Sequence, residues 1–75
     1  MVTERNLVEY LIEFEGGGLE LTETIELFSH LVSTGNAWTL QGVYGRTAAR
    51  LIELGYLNEQ GLINYEKLDE YYQNL

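Results

Sequence analysis

The chain of 75 residues contains no cysteine and no proline, and it has only four Lys and Arg, one His and one Trp. Without cysteine, neither a disulfide staple nor a thiolate metal site can form. Without proline, nothing breaks a helix from within. Four cations against twelve Asp and Glu leave a net charge of -8. Phosphate repels a chain of that sign, so conventional duplex nucleic-acid binding is not expected. No run approaches the ~20 apolar residues of a membrane span. Glu4, Arg5, Glu9, Glu13 and Glu15 fall where a signal peptide would be apolar. Together these absences predict a protein of the cytoplasm with no membrane role.

What is present supports a folded chain. With 45% hydrophobic and 12% aromatic residues, one core and a single domain over residues 1–75 are expected, and disorder is not. A domain this small buries only about 60% of the surface of its unfolded chain. Lacking disulfides and metal, it is expected to gain further burial by forming a homo-oligomer. The acidity is uneven, with residues 1–37 carrying one cation and seven anions and residues 38–75 carrying three and five. An acidic first half is either a solvated face or a surface complementary to a basic site on a partner.

Periodicity predicts an all-α fold: a small bundle of three main helices plus a C-terminal one, with any β-structure confined to a minimal hairpin at residues 56–63. Thr3 or Asn6 can cap a first helix ending near Glu15, with Leu7, Val8, Leu11, Ile12 and Phe14 as its apolar side. Gly16, Gly17 and Gly18 stop it. Thr22 opens a second helix whose inward positions are Ile25, Phe28, Leu31 and Val32, with Gly35 as a left-handed cap. Asn36 to Gly45 reads as a helical turn or an irregular connector. A third helix is expected from about Tyr44 to Leu54, with Ala48, Leu51 and Ile52 inward and Gly55 as its stop. Asn64 then caps a last helix with Tyr65, Leu68, Tyr72 and Leu75 at apolar spacing. Adjacent Tyr71 and Tyr72 cannot both face inward, so at least one is expected on the surface.

The most distinctive segment is Ala37 to Ala49, AWTLQGVYGRTAA, where the sole tryptophan, a glutamine, a tyrosine, two glycines, an arginine and a threonine lie within eleven positions. It resembles a family of short, uncharacterised tailed-bacteriophage proteins. Their signature is AW, one residue, LQG, one residue, YGRTA, then an apolar helix closed by glycine. The resemblance covers Ala37, Trp38, Leu40, Gln41, Gly42, Tyr44, Gly45, Arg46, Thr47 and Ala48, continues loosely through Leu51, Ile52 and Gly55, and leaves the stretch from about Leu57 uncovered. It implies a phage or prophage origin and carries no mechanism with it.

Trp38, Gln41, Tyr44, Arg46, Thr47 and Arg50 are the candidate ligand- or partner-binding residues. In one reading the amides near Gly45, Arg46 and Thr47 open a helix and, with a guanidinium, attract an anion such as a phosphate or a carboxylate, beside a stacking surface from Trp38 and Tyr44. In the other, Trp38, Leu40 and Tyr44 are packing residues, and Arg46 and Arg50 bridge to local carboxylates such as Glu53. The segment lacks the lysine and the length of a phosphate-binding P-loop. His30, placed with Glu23, Glu26 and Ser33 on a polar face, has no nucleophile or metal partner at a recognisable spacing, and the Glu9/Glu13 and Glu23/Glu26 pairs read as solvated. No catalytic residue, metal ligand or cofactor is therefore assigned, and no enzymatic activity is expected. The expected function is a phage-type protein that binds a host protein, such as a defence protein, and inhibits or redirects it. The alternatives are an oligomeric sponge for a nucleotide immune signal and a small helix-turn-helix or winged-helix regulator.

Overall fold

The longest helix organises the fold, which a computed structural model describes for residues 2–74. Around α2 (Leu21–Thr34) are gathered α1 (Leu7–Glu15), a 3₁₀ turn (Asn36–Trp38), α3 (Gly42–Glu53) and α4 (Tyr65–Gln73). The only β-pairing among the described residues is one antiparallel bridge, Leu57 with Ile63. The protein is all-α, with the minimal hairpin where the turn-flanked apolar pairs predicted it. Its radius of gyration of 11.7 Å is close to the ~11 Å of a compact chain this long.

Ile25, Leu27, Phe28 and Leu31 of α2 are fully buried, and Ala37, Ala48, Leu51, Leu57, Leu68 and Val2 close the core around them. Three rings tie three helices together. Phe14 of α1 meets Phe28 of α2 edge-on at 5.2 Å, and Tyr44 of α3 lies 5.4 Å from Phe14 and 6.2 Å from Phe28. Such pairs add about 0.5–1.5 kcal/mol each beyond the area they bury.

Several expectations need correction. Val8 and Ile12 do not face the core: α1 turns Leu7, Tyr10, Leu11 and Phe14 toward α2 and leaves both outside. Five apolar residues cover more of the helix than one neighbour can bury, and the Phe14 ring sets the rotation. Asn6 precedes α1 but makes no cap, its side chain accepting instead from the Thr3 amide at 2.8 Å. α2 begins at Leu21 rather than Thr22, because Glu23 reaches back to accept from the Glu20 amide at 3.1 Å. The Thr22 hydroxyl pairs with the Tyr72 hydroxyl at 2.7 Å. α3 starts two residues earlier than expected, with Gln41 at its N-cap position.

Asn64 caps α4 as predicted, accepting from the Lys67 amide at 3.1 Å. Of α4's apolar positions only Leu68 is buried, Tyr65 and Tyr72 are exposed, and Leu75 lies outside the described residues. Tyr71 is exposed as well, its ring 5.2 Å from that of Tyr72. Gly35 and Gly55 adopt left-handed φ values of 83° and 88° at the ends of α2 and α3. Gly61 is under a tighter constraint. At φ 88°, a Cβ there would stand 2.6 Å from the Ser29 carbonyl oxygen. Glycine thus lets the hairpin lie on α2, where Ser29 Oγ donates to the Gly61 carbonyl at 2.6 Å.

Candidate interaction site

The AWTLQGVYGRTAA segment forms the 3₁₀ turn and most of α3, and its side chains divide between core and surface. After the left-handed Gly35, the Trp38 amide donates to the Gly35 carbonyl at 3.2 Å and the Leu40 amide to Asn36 at 3.1 Å. This tight turn drives Ala37 fully into the core and points Trp38 outward, 53% exposed. The indole lies against α3 at Gly45, where an added Cβ would be 3.8 Å from Trp38 Cε3. One edge of the ring is thereby held while the rest stays open.

Trp38, Ala49, Ile52, Glu53 and Glu59 line a wide groove of about 520 Å³. α3 supplies the apolar floor, and the hairpin tip supplies Glu59. Asn58 shapes that tip by accepting from the Gln60 and Leu62 amides, each at 2.9 Å. Glu53 accepts a hydrogen bond from Arg50 Nη1 at 3.1 Å. An aromatic face flanked by carboxylates attracts a cation on an apolar stem, such as an arginine or lysine side chain.

Residues 1–71 match a family described as a domain of unknown function, DUF7417. The chain belongs to that family. The match runs through α4 as far as Tyr71, so the helix left uncovered by the phage resemblance is part of the shared domain. No curated protein and no solved structure matches the chain.

In this DUF7417 domain the six candidate residues do not form one site. Trp38, Gln41, Arg46 and Arg50 are exposed, Thr47 is half-buried and Tyr44 is only 4% exposed. The Tyr44 hydroxyl donates to Glu15 Oε2 at 2.6 Å. Burial, then the hydrogen bond to Glu15 and its negative charge, pushes the Tyr44 hydroxyl from its ordinary 10.0 up to about 12. Tyr44 thus fastens α3 to α1 and offers no stacking surface. The anion site expected at Gly45, Arg46 and Thr47 is not at a helix N-terminus either. α3 begins at Gly42, which places these three amides beyond its first, unpaired turn. Arg46 folds back over Gly42 and makes no ion pair among the described residues.

His30 is half-buried and lines a separate cavity of about 310 Å³ with Val2, Glu26, Ser29, Ser33, Ile63 and Tyr65. The Ser33 hydroxyl donates to the carbonyl of His30 itself at 3.0 Å, and that of Ser29 to Gly61. Both hydroxyl protons are committed to backbone. Glu9, Glu13 and Glu23 gather with Tyr10 and Leu19 at a cleft between α1 and α2, apart from Glu26. Among the described residues, no group of three His, Asp or Glu could hold a metal ion, and no helix is long and apolar enough to cross a membrane. Sequence reasoning missed Glu59. The predicted turn at Asn58 to Gly61 was its signal, but nothing in the sequence tied that turn to Trp38.

Proposed function

We propose that this domain is a non-catalytic, phage-type interaction protein of the infected bacterial cytoplasm, which binds a host protein and inhibits or redirects it. The observation that carries the reading is Trp38, half exposed over an apolar groove with Glu53 and Glu59 at its rim. Tryptophan is among the residues most enriched at the few interface positions that carry most of the binding energy. With a net charge of -8, the surface favours a partner whose contact face is basic, since such complementarity speeds and orients encounter. A partner's Arg or Lys laid along the indole would pair with both carboxylates. The phage origin rests on the resemblance in residues 37–49, and a defence protein is one class of host target that fits it.

A second reading, the oligomeric nucleotide sponge, draws on one feature: Arg46 is exposed and makes no ion pair among the described residues, one turn from Arg50. The regulator reading has no comparable support, because the cations of α3 number two and one is tied to Glu53. The test is a pull-down from host lysate with the wild type and with Trp38→Ala, combined with an intact-mass scan of the purified protein. A host protein retained by the wild type and lost from a folded Trp38→Ala variant is the expected outcome. A co-purified nucleotide with no protein partner would transfer the function to the sponge.

A further inference from the structure

Val8 and Ile12 are each 65% exposed, one turn apart on the outer face of α1. The residues that continue this stripe carry opposite charges. Arg5 precedes Val8 by three in the turn leading into α1, Glu15 follows Ile12 by three, and both are exposed. Within α1, spacings of four and three keep Val8, Ile12 and Glu15 along one side, as in the seam of a paired helix, and Arg5 stands just before them in the turn that leads into the helix. A stripe that reads basic, apolar, apolar, acidic is its own complement when reversed. With a twofold axis level with Tyr10, residue 8 faces residue 12 and residue 5 faces residue 15, twice over.

We propose that α1 is a self-recognition surface on which a second copy of this chain docks antiparallel, Val8 against Ile12, with an Arg5–Glu15 ion pair closing each end. The surrounding charges fit this register. Glu4 faces Gly16, which presents no side chain. Glu9 and Glu13 line the cleft toward α2 with Glu23, to one side of the stripe. Glu15 is already oriented by the Tyr44 hydroxyl on Oε2, which leaves its other oxygen for an arginine and lowers the entropy cost of the pair. Parallel pairing would instead put Arg5 on Arg5 and Glu15 on Glu15. One short helix from each protomer makes an interface at the small end of the specific range, so a micromolar or weaker dimer is expected. This surface is separate from the Trp38 groove, and the inference stands whether or not a host protein binds there.

Sedimentation equilibrium of the full chain tests it, using Val8→Lys and Ile12→Glu, both at exposed positions remote from the core. The wild type should dimerise as its concentration rises toward about 1 mM, and each variant alone should weaken the dimer by about tenfold or more, because each then buries an unpaired charge. An equimolar mixture of the two should recover the dimer, since antiparallel docking sets the new lysine against the new glutamate and Val8 against Ile12. Circular dichroism confirms that each variant is folded. A wild type that stays monomeric throughout, or an Ile12→Glu variant that dimerises unchanged, overturns the proposal. So does a mixture that fails to recover, because that excludes the register.

Discussion

Tyr44 does most to tie the signature segment to the fold, and it makes a pH prediction. Its folded-state value is raised from 10.0 to about 12, so the folded chain holds this proton more tightly than the unfolded one. The associated stability is complete below pH 10 and drains away as pH rises toward 12. Tyr44→Phe keeps the ring but removes the donor to Glu15, and should cost about 1.5 kcal/mol near neutral pH. Denaturant melts from pH 8 to 12 should show the wild type losing stability across the upper part of that range faster than the variant does; parallel curves would contradict the assignment. The sequence left Tyr44 open between packing and contact for a physical reason, and its burial against Phe14 and Phe28 bears out the packing reading. A tyrosine is equally suited to a buried, hydrogen-bonded position and to an exposed contact surface, and only the approach of Glu15 from another helix selects the first. Trp38 shows the converse: its position before a helix was legible, but its outward direction depends on a turn whose small residue, Ala37, takes the buried place.

The ends at which helices stop, and the start of α4, were legible, whereas the starts of α1, α2 and α3 and the inward faces of α1 and α4 were not. Glycine at 35 and 55 and asparagine at 64 act through their own backbone or side chain, so each boundary is written locally. The facing of α1 and α4 depends on how much surface their neighbours offer. Leu27, fully buried yet absent from the expected inward set, is explained the same way, since α2 is covered on more than one side. α4 is the least anchored helix, with Leu68 as its buried residue, the Thr22–Tyr72 hydroxyl pair at its far end and the Asn64 cap at its start. Amide hydrogen exchange should therefore open α4 at a lower free energy than α2. Asn64→Ala, by removing the cap, should destabilise α4 by about 1 kcal/mol and speed its exchange while leaving α2 unchanged. Equal protection of α2 and α4 would show that α4 unfolds only with the whole chain.

At the scale of the whole molecule, charge separates the two functional readings, and Arg50 is the residue that separates them most cleanly. Its pair with Glu53 is solvent-exposed on both sides, 64% and 72%, so Arg50→Ala should change stability by about 0–1 kcal/mol. The same substitution takes the net charge from -8 to -9 and releases the Glu53 carboxylate at the rim of the Trp38 groove. For a basic protein partner both changes are favourable. Binding should hold or tighten by about two- to threefold at low ionic strength, with the gain shrinking as salt screens the added charge. For an anionic nucleotide both are unfavourable, and losing a charge-assisted contact should weaken binding by about tenfold or more. Arg46→Ala adds a control on the same helix, because it changes the net charge equally without freeing Glu53. A titration of the purified partner against the three proteins at two salt concentrations thus reads the sign of the effect as well as its size. Tightening confined to Arg50→Ala assigns the groove, equal tightening in both variants assigns only the overall field, and weakening in both overturns the protein-partner reading in favour of an anion held by the arginines.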